Sequence, residues 1–191
     1  ESAEKPAEAK AALQELSTAS AASWAEYEKT GSPQFIFSFA GDPALVRAVR
    51  DAWPEPDSRS KIILDTLEKT LSVNRFWVQG KPWESNRARA DLQRENFLRY
   101  WRAHKQQGTA PRVMAKYGAS HAVRGISQTA VFDLGTLLPE IAAVEGGNSF
   151  SLLVLPGDGS LVAVLNPSTW SFEPRPAKDG YAKSLEPLLS A

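Results

Sequence analysis

Hydrophobic periodicity changes at Pro111, and that change sets the limits on the fold. Before Pro111, apolar residues recur at spacings of three and four, the period of helices with one buried side. After it, short β-prone runs alternate with glycines and turn residues. A chain divided in this way is expected to be α/β (mixed), a helical first half joined to a small sheet with flanking helices. The division predicts a helical region over 1–110, an α/β region over 111–165 and C-terminal coil over 166–191. At 191 residues there is room for one domain of ordinary size or two small ones.

Residues 1–30 predict a long Ala-rich helix with Leu13, Leu16, Ser20, Trp24 and Tyr27 along one side, stopped by Gly31-Ser32-Pro33. The run Phe35, Ile36, Phe37 and Phe39 is apolar but does not select between helix and strand. Asp42-Pro43 is a helix start, with a capping carboxylate before a proline at the first helical position. That helix carries Leu45, Val46 and Val49 and is expected to end near Trp53. Asp57 or Ser58 can cap a third helix, with Ile63, Leu67 and Leu71 on one face. A fourth is predicted over residues 85–107, closed by Gly108. Its Arg89, Gln93, Asn96 and Tyr100 share a stripe beside Ala90, Phe97 and Trp101. Such a stripe is either a solvated face or a face turned towards a site.

Past Pro111, residues 112–117 are expected as a strand, and Val131 and Phe132 as a second short one ending at Asp133. A helix follows over 136–145, with Pro139 in its first turn and Gly146-Gly147 at its end. The run Phe150 to Leu155 reads as a central strand buried on both faces. Gly157-Asp158-Gly159 would turn it back onto a partner at 161–165. The tail, with Pro167, Pro174, Pro176 and Pro187, is expected to cross the surface as coil.

Charge and composition remove several functions. Lys and Arg total 22, Asp and Glu total 22, and the formal net charge is zero. That argues against nucleic acid or an anionic membrane surface as a partner bound through a broad basic field. The absence of cysteine excludes disulfides, thiolate catalysis and Cys-based metal sites within the chain. No apolar run reaches the roughly 18–20 residues of a membrane span. The first residue is Glu1 rather than Met, which leads to the expectation of a longer parent polypeptide.

There are two histidines. His104 falls near the end of the fourth helix among basic neighbours, as a surface residue would. His121 lies in Tyr117-Gly118-Ala119-Ser120-His121-Ala122-Val123-Arg124-Gly125, directly after a strand candidate, where α/β folds place ligands and catalytic groups. Glycines on either side permit unusual backbone angles or close approach. Arg124 supplies a cation suited to a carboxylate, a phosphate or a developing oxyanion. One histidine does not make a metal site, and the nearest acidic candidates are Asp133 and Glu140. Asp133 has a second reading as the cap of the helix that follows. No HExxH, GxSxG or Walker-type motif occurs, and Ser120 is adjacent to His121 in sequence only.

The stretches 116–125, Val131-Phe132-Asp133-Leu134-Gly135 and 149–154 resemble the C-terminal half of proteins in the erythromycin esterase, ChaN, TraB and Tiki superfamily. Gly118 and His121 match the second of that group's two Gly-x-x-His motifs. The fourth helix resembles its arginine helix through Arg89 and Asn96-Phe97, with Gln93 at a place where methionine is common. The resemblance covers about residues 84–155. It implies an incomplete domain fragment, because the first Gly-x-x-His and its acidic neighbour do not occur in this sequence. A composite site would then need the missing N-terminal half or a partner chain, and this chain alone is expected to be inactive.

Three readings follow from the resemblance and the local chemistry. In the first, the chain is part of a hydrolase acting on a small molecule or peptide. His121 is then a general base or a divalent-metal ligand with Asp133, and Arg89 and Arg124 hold an anionic group, with Tyr117, Gly118, Gln93 and Asn96 lining the site. In the second, it is a non-catalytic ChaN-type protein in which His121 or Tyr117 meets haem. In the third, His121 is a structural loop residue. A bacterial periplasmic or secreted setting accords with the habits of the group.

Overall fold

The computed structural model of the protein describes residues 6–108, 111–152, 154, 159–166 and 168–177. Its elements run α1 (Ala7–Thr30), α2 (Phe37–Ala40), α3 (Pro43–Ala52), α4 (Ser58–Val78), α5 (Pro82–Lys105), α6 (Leu134–Val144), β1 (Leu161–Asn166) and β2 (Ser171–Pro176). The architecture is mixed α and β, with the helices dominant. Among the described residues, no helix is long and apolar enough to cross a membrane.

Helix α1 buries Ala9 and Leu16 and ends at Gly31, whose left-handed φ of 69° lets its N–H reach the Tyr27 carbonyl. Trp24, at the far end of the expected apolar side, is instead 53% exposed and packs on Tyr27. The ambiguous Phe35–Phe39 run resolves into a 3₁₀ turn followed by α2. Side chains from two other helices fix it there: Ser23 Oγ donates to the Phe35 carbonyl and Asn74 Nδ2 to the Ser38 carbonyl. The cap expected for α3 is present, with Asp42 accepting from the Ala44 N–H at 2.9 Å. Asp57 caps α4 more fully, accepting from the N–H groups of Arg59 and Ser60 and from the Ser60 hydroxyl.

The buried line of α4 runs one residue away from the expected one. Ile63 is 54% exposed, and Leu64 takes its place above Leu67 and Leu71. At about 100° per residue, Leu64 lies about 20° from Leu71 around the helix, while Ile63 lies about 80° away. Leu64 and Leu71 join Leu16, Val46 and Val49 in the core, with Phe37 and Leu67 packed against it. Ion pairs tie the helices at their solvent edges: Arg50 with Glu68 and Asp65 between α3 and α4, Lys69 with Glu95 between α4 and α5, and Lys105 with Glu145 at the end of α6.

After α5 the expected sheet is not formed. Residues 112–117 are irregular and exposed, Met114 almost wholly so. At Val131 and Phe132 there is one isolated antiparallel bridge, between Ile126 and Phe132, rather than a strand. The expected central strand is likewise irregular where it is described. Phe150, Leu152 and Val154 are 89%, 77% and 79% exposed, and Leu153 and Leu155 lie outside the described residues. Strand propensity alone does not hold an extended segment, because its backbone groups need a neighbouring ladder.

β1 pairs instead with β2, in register from Leu161 opposite Pro176 to Asn166 opposite Ser171. Ser171–Pro176 is therefore strand, not the coil expected from its prolines. Two features permit it. The Ala177 N–H donates to the Ser160 carbonyl, so Ser160–Ala177 is a bonded pair and every second pair onwards is too. Pro174 and Pro176 fall in the intervening pairs, where an N–H would point away from β1. The hairpin turns at Trp170, which has a positive φ of 53° and meets Phe39 edge-on at 5.4 Å. Of the expected Gly157-Asp158-Gly159 turn, Gly157 and Asp158 lie outside the described residues.

Candidate functional site

His121 sits in a 3₁₀ turn, Ala119–His121, closed by its own N–H to the Gly118 carbonyl at 2.9 Å. Gly118 has an ordinary extended backbone, and a Cβ there would meet only the edge of the His121 ring. Gly125 is the glycine whose conformation matters, with φ 83°. Thr136 clamps it from both sides: its hydroxyl accepts from the Gly125 N–H and donates to the Gly125 carbonyl, each at 2.9 Å.

From Gly125 the chain runs out and back through a polar turn. Ser127 N–H bonds to the Val131 carbonyl, Ala130 N–H to the Ser127 carbonyl, and the Ser127 and Thr129 hydroxyls to each other. The return delivers Asp133 beside His121. Asp133 Oδ2 lies 2.5 Å from His121 Nδ1, and its Oδ1 accepts from the Leu134 N–H at 2.8 Å. The Asp133 side chain is fully buried, while that of His121 keeps 23% of its surface. Asp133 is thus both the cap of α6 and the residue that holds the imidazole. With Nδ1 turned towards Asp133, Nε2 is the nitrogen left for chemistry.

The cap also moves the helix start. α6 begins at Leu134 rather than 136, so Pro139 stands inside the helix and not in its first turn. The second residue, Gly135, allows the helix end to touch the His121 loop. A Cβ there would lie 2.3 Å from the Ala122 carbonyl carbon and 2.4 Å from the Ala122 and Val123 oxygens. No side chain fits.

Tyr117, half-exposed, feels the same carboxylate. Partial burial and the negative charge of Asp133 hold its phenol above the ordinary value, so it remains a hydrogen-bond donor across the physiological range. That pull runs against the phenolate form needed to ligate haem iron. Arg124 is exposed and reaches the Ser149 carbonyl and hydroxyl at 3.3 and 3.4 Å, tying the loop to the segment after α6.

The α5 stripe divides. Tyr100 is 61% exposed, and Asn96 accepts from Arg99 on its own helix. Higher up, Arg89 Nε and Gln93 Oε1 are buried without hydrogen-bond partners, as is Ser85 Oγ. Among the described residues, no hydrogen bond joins Arg89, Gln93 or Asn96 to His121 or Asp133. His104 lies exposed in the last turn of α5.

A divalent metal does not fit these residues by themselves. Among the described residues, no group of three or more His, Asp or Glu could hold an ion. Asp133, expected as a co-ligand, has one oxygen on His121 and the other on a backbone N–H. Sequence reasoning missed Gly135 and Thr136. The available signal was a glycine in the first turn of a helix, a costly choice unless something must pack there. No family model, curated protein or solved structure matches this chain.

Proposed function

We propose that the chain carries the general-base half of a hydrolytic site, with His121 as the base and Asp133 as its positioning residue. The observation that supports this most is the 2.5 Å contact between His121 Nδ1 and a fully buried Asp133. A base oriented by a third group is the recurring arrangement for proton abstraction in hydrolysis. In this reading Nε2 takes a proton from water as its oxygen attacks a substrate carbonyl, and returns the proton to the leaving group. Asp133 keeps the imidazole in one tautomer and stabilises it when charged. Tyr117, held protonated, can donate to a substrate oxygen. The other half of the composite site, implied by the resemblance, would come from a further segment or a partner chain.

The test combines hydrolysis of an activated aryl ester with acylation of the two histidines by diethyl pyrocarbonate. Expected results are that Asp133→Asn slows acylation of His121 without changing that of His104. Any ester hydrolysis detected should disappear in His121→Ala, a loss of about 10²–10⁴-fold for a general base. Hydrolysis that survives His121→Ala, or acylation of His121 indifferent to Asp133→Asn, overturns the reading. Turnover by residues 1–191 alone that vanishes in His121→Ala would show that the site is complete without another segment.

A further inference from the structure

Between the last turns of α5 and α6 lies an open groove of about 330 Å³. Leu98 and Trp101 of α5 and Ile141 and Val144 of α6 form its apolar surface. Trp101 is held by stacking on Phe97, and Val144, the last residue of α6, is 83% exposed. The other three apolar side chains are only half-buried, so the four make one patch open to solvent. The charges around the groove are segregated by helix. α5 contributes Arg102 and Lys105, and α6 contributes Glu140 and Glu145. Lys105 and Glu145 pair with each other. Arg102 and Glu140 stand about one turn earlier in their helices, both exposed. Among the described residues, neither side chain has a hydrogen-bond or ion-pair partner.

We infer that two copies of the chain associate through this groove, about a two-fold axis running along it. That axis seats α5 of one copy on α6 of the other. Each Arg102 then meets Glu140 of the other copy, and the two apolar patches close on each other. A two-fold axis across the groove would instead set α5 on α5 and α6 on α6, like charge against like. Two observations favour a second copy as the occupant. The face is complementary to itself, because its basic edge and its acidic edge are exchanged by the two-fold. The formal net charge is zero, so copies approach without long-range repulsion. One helix pair per copy is a small interface, about 1,200 Å² in total, which places the association in the micromolar range. The inference goes beyond the hydrolytic reading and does not depend on it, since the groove lies at the opposite end of α6 from Asp133.

Sedimentation velocity from about 1 µM to about 300 µM tests it, the average mass rising from that of one chain towards that of two. Arg102→Glu and Glu140→Arg should each weaken association by about tenfold or more, because each sets like charges together twice in the symmetric pair. Mixing the two variants should restore it, since every reversed charge then faces its opposite, and the double variant should restore it alone. Both side chains are exposed, so the far-ultraviolet circular dichroism of each variant should match the parent's. Val144→Asn should also keep the fold and weaken association, whereas His121→Ala should associate as the parent does. A single-chain mass at every concentration overturns the inference and leaves the groove to a partner of another kind. So does association that either charge reversal leaves untouched, or that the mixture fails to recover.

Discussion

The helical region and the segment around His121 are held by different forces. Over α1 to α4 most buried side chains are aliphatic, with Leu16, Val46, Val49, Leu64 and Leu71 in one cluster and Asn74 the buried polar exception. Around His121 the buried set includes Ser127 and Asp133 beside Val131 and Leu134, and the chain is positioned by side chain-to-backbone hydrogen bonds. The first kind of order tolerates conservative replacement and fails globally when a cavity opens. The second has little apolar area but fixes a single geometry, because each polar group has one partner to lose. Stability and chemical geometry therefore sit in different parts of the same chain, and substitutions should separate them.

The largest effect is expected in the aliphatic cluster. Leu71 is 2% exposed at its centre, and Leu71→Ala should cost about 2–5 kcal/mol, read from the urea midpoint at unchanged m-value. The contrast predicts that acylation of His121 remains sensitive to Asp133 in the protein that stays folded. If Leu71→Ala removes that sensitivity under folding conditions, the two regions are one cooperative unit. Next comes Gly135→Ala, expected to cost about 1–3 kcal/mol, because the new methyl would enter the Ala122 carbonyl. Its signature should be local: faster amide exchange at Gly125, and a changed His121 ring signal, with α4 amides unaffected.

How far each region could be read in the sequence follows from the same difference. Helix starts were legible at Asp42 and Asp57 because a cap is a local event, a side chain bonding to an N–H two or three residues on. Ile63 and Leu64 both stand at helical spacing from Leu67, so the spacing that selects Ile63 does not exclude Leu64, and only packing against α3 decides for Leu64. The strand readings failed for a non-local reason. Phe150, Leu152 and Val154 have strand propensity, but propensity does not supply a neighbour, and the hairpin formed further along, where Pro174 and Pro176 seemed to forbid it. At the site, His121 and Asp133 were both visible, yet their contact spans twelve residues and depends on the turn at Ser127–Val131. The roles of Gly135 and Thr136 become visible only once that loop is closed.

Two smaller effects sharpen the contrast through pH. Tyr117 is the one that reports on the site. Its phenol lies above the ordinary value, first through burial and then through the Asp133 charge. The ultraviolet titration difference between the parent and Tyr117→Phe should have its midpoint above about 10. Asp133→Asn should lower that midpoint while leaving it raised, since burial persists. A midpoint unchanged by Asp133→Asn would mean that the carboxylate does not act on Tyr117, and would weaken its place in the site.

The smallest effect belongs to the helical region, at Asp57. Hydrogen bonds from the Ser60 hydroxyl and N–H hold its carboxyl below the ordinary value. A carboxyl depressed in the folded state binds its proton more weakly there than in the unfolded chain. Its stabilising contribution is therefore complete above the unfolded value of about 3.9, and disappears as pH falls through the folded one. Asp57→Asn keeps an acceptor for the Arg59 and Ser60 N–H groups but carries no charge and loses the second carboxylate oxygen that the Ser60 hydroxyl uses. The parent should thus be the more stable protein at neutral pH, and the gap in Tm should close on acidification below about pH 4. The cap lies at the surface, within reach of solvent ions, so the gap should also shrink in salt. Closure on acidification with no change at His121 would keep the two regions separate. A gap constant across pH would show that the cap works through its geometry alone, with the charge contributing nothing.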